Sequence, residues 1–98
     1  MSDQDTEAVL LSHPDLVADA LIKWRTATLS REKTEALLYL TFKGQDSDRS
    51  ATEIKAMINS SEARFKDVLT EIQAEGEYNR LYEKLLGAKK IASLRTAY

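Results

Sequence analysis

Residues 50–98 contain no proline and read as nearly continuous helix, opened by the helix-start sequence Ser50-Ala51-Thr52-Glu53. A helix that long in a 98-residue chain is not held by its own backbone alone. Its apolar stripe has to be covered by an earlier helix, a second copy or a partner. With 3 Gly and 1 Pro, the chain lacks the turn residues that a many-stranded sheet requires. The expected fold is therefore all-α: a long antiparallel helical hairpin, coiled-coil-like, with a short intervening helix. A thin core of Leu, Ile, Val and Ala in so small a domain favours oligomers, and a homo-oligomer is expected.

The apolar pattern divides the chain. Residues 1–13 read as an acidic N-terminal tail, with Ala8-Val9-Leu10-Leu11 as a patch able to dock on the helices. Residues 14–98 read as a single helical domain, with helices over about 14–43, 51–59 and 62–96. Ser12-His13-Pro14-Asp15 has capping-box spacing, and proline is tolerated in a first turn. Leu16, Val17, Ala20, Leu21, Trp24, Ala27 and Thr28 recur at three and four, and Ala36, Leu37, Leu38, Leu40 and Phe42 resume the stripe. Gly44 suits a left-handed C-cap before the polar loop 45–49. In the last helix the stripe is Phe65, Val68, Leu69 and Ile72, then Tyr78, Leu81, Tyr82, Leu85, Leu86, Ala88, Ile91, Ala92 and Leu94. The step from Ile72 to Tyr78 reads as a break in heptad phase. Gly76 and Gly87 are either weak points or places of close helix approach. Glu71 and Glu75 read as a solvated face.

Little here supports catalysis. There is no cysteine and a single histidine, His13, so neither a thiolate nucleophile nor a transition-metal site is expected. Asp46 and Asp48 have alternate spacing but lack the following glycine and glutamate of a calcium loop. Ser60, Ser61 and Ser93 have no histidine near them in sequence, and the glycines are isolated. The expectation is a non-enzyme with no cofactor, no metal and no small-molecule substrate. The acidic start is unlike a signal peptide, and no apolar run approaches the roughly 20 residues of a membrane span. A cytoplasmic location is expected.

Charge is unevenly placed. Asp3, Asp5, Glu7, Asp15 and Asp19 precede the first basic residue, Lys23, whereas Arg80, Lys84, Lys89, Lys90 and Arg95 crowd the end with only Glu83 against them. Two readings stay open. The acidic start and basic end lie side by side in an antiparallel pair, or the basic end binds an acidic partner or a phosphate backbone. For the second, the candidate binding residues are Arg80, Lys84, Lys89, Lys90 and Arg95, with Tyr82 as a stacking aromatic for single-stranded DNA. The candidate self-association residues are Leu81, Leu85, Ala88, Ile91 and Ala92.

The order of parts also resembles a family. Thr52-Glu53-Ile54-Lys55-Ala56 after a polar loop, then Ala74-Glu75-Gly76-Glu77-Tyr78-Asn79-Arg80-Leu81-Tyr82 in a long helix, resemble small helical accessory proteins of tailed phages. In outline they are similar to phage recombination mediators, over roughly residues 30–98. The resemblance implies an accessory role through protein–protein contact, a recombination protein as partner, assistance on single-stranded DNA, and the cytoplasm of a host cell. The alternative is an assembly adaptor or inhibitor that binds one host or phage protein without nucleic acid. This chain is shorter and more acidic than a typical mediator.

Overall fold

A computed structural model describes residues 3–97, with side chains described over 4–95. The described chain is all-helical: α1 spans Asp3–Gln45, α2 spans Ala51–Asn59 and α3 spans Glu62–Ala97. No strand occurs among the described residues.

The first helix begins eleven residues earlier than expected, at Asp3 instead of Pro14. The expected tail is therefore part of α1, apart from Met1 and Ser2, which lie outside the described residues. Ser12 is not a cap: its Oγ donates to the Ala8 carbonyl at 2.7 Å, inside the helix. Pro14 sits in the helix interior, where it removes one amide donor. Tertiary burial offsets that loss, because Thr6 and Val9, upstream of the proline, are almost fully covered.

The end of α1 also differs from expectation. Gly44 lies within the helix, and no glycine has a positive φ. The orphan carbonyls are met from the following loop instead. Arg49 Nη1 donates to the Phe42 carbonyl at 2.9 Å, and the Asp46 amide donates to the same oxygen at 3.4 Å. Asp46 then turns the chain by accepting from the Asp48 amide at 3.0 Å. Ser50 caps α2 as its position predicts, accepting from the Glu53 amide at 3.1 Å. The Ser61 carbonyl accepts the first α3 bond from the Phe65 amide at 3.0 Å.

The chain forms two compact units. Unit 1 joins the residues up to Trp24 with those from Ala74 onward; unit 2 is residues 25–73. In unit 1, Val9 clusters with Leu85 and Ala88, with Leu10 and Val17 packed against them, while Trp24 meets Tyr78. Low numbers on α1 thus meet high numbers on α3, which makes the two segments antiparallel. Unit 2 shows the same order, since Arg31 pairs with Glu71 and Glu35 pairs with Arg64. Ile54 and Ile58 of α2 are buried within this unit. They stand four residues apart and so share one helix face.

Covered positions in both long helices alternate between three and four residues. In α1 they include Val17, Ala20, Trp24, Ala27, Arg31, Thr34 and Leu38; in α3 they include Arg64, Asp67, Glu71, Ala74, Tyr78, Leu81, Leu85 and Ala88. No break in heptad phase occurs between Ile72 and Tyr78, because Ile72 is not on this face. The covered residues there are Glu71 and Ala74, and the register passes through them unchanged.

Candidate functional site

In unit 1 the seam is apolar. Ala20, Leu81, Leu85 and Ala88 are buried, and full cover of a leucine contributes about 1.5–3 kcal/mol. Leu81, Leu85 and Ala88, expected to mediate self-association, are covered by their own chain, and Ile91 and Ala92 are half-covered. The aromatic pattern extends this seam outward. The Trp24 and Tyr78 rings stand 5.4 Å apart and tilted by 35°; Tyr78 and Tyr82 stack at 5.7 Å and 14°.

The basic candidates do not converge on that aromatic stack. At about 100° per residue, Tyr82 lies roughly 160° around α3 from Arg80 and Lys84. Lys89 shares the Tyr82 flank, and Lys90 points between the two. Arg80 is clasped by Glu77, through Nε to Oε2 at 3.2 Å and Nη2 to Oε1 at 2.8 Å. These bonds hold the Glu77 carboxyl below and the Arg80 guanidinium above their ordinary pKa ranges. Lys84 lines an open groove with Asp5, Ala8, Val9, Ser12 and His13. The acidic start and basic end are therefore neighbours in unit 1, as the first charge reading expected. His13 stands 3.3 Å from Ser12 through Nδ1, but the Ser12 hydroxyl already donates to a backbone carbonyl. Among the described residues no group of His, Asp and Glu could hold a metal ion, and no helix is long and apolar enough to cross a membrane. Tyr98 lies outside the described residues.

Unit 2 places half-buried polar groups between α1 and α3, beside buried Ala27, Ile54 and Ile58. Its seam is charged: Arg31 Nε donates to Glu71 Oε2 at 2.7 Å and Arg31 Nη1 to Glu35 Oε1 at 2.9 Å. Arg64 Nε donates to the same Glu35 oxygen at 3.1 Å, and the Thr34 hydroxyl donates to Asp67 Oδ2. The hydrogen bonds that Arg31 donates to Glu71 and then to Glu35 raise its guanidinium above its ordinary range. Arg31 chiefly, and Arg64 next among its partners, lower the Glu35 carboxyl despite its partial desolvation. Glu71, expected on a solvated face, is part of the seam.

Several large apolar side chains of unit 2 stand outside, although Ile54 and Ile58 are buried. Leu29 is 65% exposed, Leu40 68%, Phe65 67%, Ile72 58% and Leu69 45%, values that place them in solvent in the isolated chain. Phe65, Leu69 and Ile72 fall at i, i+4 and i+7, one stripe on the outer side of α3. Gly76 belongs to unit 1, and a Cβ added there would meet no atom within 4 Å. The charged seam and the outer stripe were not singled out in sequence as functional. The available signal was Arg31 and Thr34 on one helix and Arg64, Asp67 and Glu71 on the other, at core spacing with complementary charge.

Comparison with protein-family models, with curated proteins and with solved structures finds no match to this chain.

Proposed function

We propose that this chain is a helix-mediated interaction protein without enzymatic activity, whose contact face is the outer apolar stripe of unit 2. The supporting observation is the exposure of Phe65, Leu69 and Ile72 on one face of α3, beside a seam made of ion pairs. Burying three such side chains is worth several kcal/mol, and scattered single apolar residues would not form such a stripe. A second copy is the first occupant, which moves the self-association surface from Leu81, Leu85 and Ala88 to Phe65, Leu69 and Ile72. The phage-type accessory role is the biological reading that the sequence resemblance adds. Assistance on single-stranded DNA is the weaker part. Arg80 pairs with Glu77, and Arg80 and Lys84 lie on a different flank of α3 from Tyr82, which only Lys89 shares.

Sedimentation velocity tests the contact. The wild-type chain should gain mass with concentration, and Phe65→Ser with Leu69→Ser should remain a monomer of unchanged helicity. Leu85→Ala should instead lower stability by about 2–4 kcal/mol, because it empties a covered site. A wild-type chain that stays monomeric at high micromolar concentration would remove the second copy as occupant. In a parallel titration, a salt-dependent affinity for single-stranded oligonucleotides, lost on charge reversal at Lys84 and Arg95, would restore the nucleic-acid reading.

A further inference from the structure

We infer that copies of this chain dock head to tail: the outer face of α1 in unit 2 of one copy seats on the outer stripe of α3 in unit 2 of the next. The inference rests on the reading of Phe65, Leu69 and Ile72 as a contact with a second copy, and names what they touch there. Unit 2 has an exposed apolar face on each long helix. On α1, Thr26, Leu29, Lys33, Ala36 and Leu40 are exposed and recur at three and four; on α3, Glu62, Phe65, Leu69 and Ile72 do the same. At about 100° per residue, the α1 row lies about 150° around its helix from Ala27, Arg31, Thr34 and Leu38, and the α3 row about 150° from Arg64, Asp67 and Glu71. Both rows turn away from the seam that joins the two helices.

The charge in each row decides which faces meet. Lys33 stands seven residues before Leu40 and Glu62 seven before Leu69, so each charge lies in line with its apolar neighbours. Neither has a salt-bridge partner among the described residues. Lys33 is the midpoint of its row. An in-register contact of α1 with α1 therefore sets Lys33 against Lys33 in either direction, and like charges oppose it. A contact of α3 with α3 leaves Leu29 and Leu40 in water and brings no base from the facing row to Glu62. A contact of α1 with α3 covers both apolar rows and brings together a row that carries a base and a row that carries an acid. Such a contact is heterologous: each copy uses one face and keeps the other open, so a further copy can add.

Complementation in sedimentation velocity tests this on the full-length chain. One variant carries Leu29→Ser with Leu40→Ser, the other Phe65→Ser with Leu69→Ser. Each alone should stay monomeric, because each lacks one of the two faces. Mixed in equal amounts they should form a dimer that grows no further, because one intact face of each kind remains. The wild type should grow past the dimer as concentration rises. The charges give a second measurement that leaves the apolar rows untouched: Lys33→Glu should weaken association about tenfold, and Glu62→Lys added to the same chain should restore most of it. Leu11→Ser, more exposed on α1 but outside unit 2, should associate like wild type. If the Leu29→Ser, Leu40→Ser variant associates like wild type, head-to-tail docking is overturned while a contact through Phe65, Leu69 and Ile72 stands. A mixture that stays monomeric, Lys33→Glu without effect, or loss of association in Leu11→Ser also overturns it. A wild-type chain that stays monomeric removes the second copy, and this docking with it.

Discussion

Arg31 and Glu71 meet at 2.7 Å across two helices, forty positions apart in the chain, at a place where seam spacing calls for apolar side chains. Arg31 also bonds Glu35 four residues along its own helix. One guanidinium thus joins a local and a long-range carboxylate.

A double-mutant cycle on Arg31 and Glu71 should give a coupling of about 1 kcal/mol, at the upper end for exposed pairs because both side chains are largely covered. Glu71→Ala alone should cost more than Arg31→Ala with Glu71→Ala together, since the single change leaves Arg31 desolvated with one partner fewer. Urea unfolding of the four proteins measures both. A coupling indistinguishable from zero would show that the contact adds nothing to stability.

Acid should loosen the chain through Glu35. Its carboxyl is held below the ordinary range by Arg31 and Arg64, so the folded state binds its proton less readily than the unfolded state. The stabilisation is complete above the unfolded pKa, about 4.3, and is lost as pH falls through the lower folded value. Melting temperatures of wild type and Glu35→Gln should differ at neutral pH, with the variant lower, and converge in strong acid. A gap that stays constant down to about pH 2 contradicts this origin.

Gly76→Ala should stabilise the isolated chain by about 0.5–1 kcal/mol, because α3 gains helix propensity and the added Cβ meets open space. The variant should therefore melt higher than wild type by a few degrees. Thermal melts of the two dilute proteins measure the difference. A variant that melts no higher would contradict the open surroundings of Gly76.

The helical elements were legible because their signals are local. Ser50 before α2, the polar loop near residue 46 and the three- and four-residue spacing of apolar groups need no tertiary knowledge. The start of α1 was not legible, because Ser12 and Pro14 carry a valid local start signal that burial of Thr6 and Val9 overrides. Similarly, Gly44 has the composition of a left-handed cap, but the Arg49 side chain satisfies the Phe42 carbonyl and leaves Gly44 helical.

The candidate site was legible only in part. Arg80 and Tyr82 are close in sequence, yet helix phase puts them on different flanks, and Glu77 engages the arginine. Hydrophobic periodicity also tracked the wrong face of α3 over Phe65, Leu69 and Ile72. A pattern of apolar residues specifies which side chains seek cover, not whether the cover comes from the same chain.

By itself the sequence determined that this protein is helical, where its main loop falls and that its charge is divided between its ends. These follow from backbone propensity, caps and composition, which act over a few residues. Only the tertiary structure decided that α1 and α3 join through apolar contacts in unit 1 and through Arg31, Glu35, Arg64 and Glu71 in unit 2. The reason is physical: a charged group at a core position is tolerated only when an opposite charge arrives to pair with it. Whether it arrives depends on residues up to forty positions away.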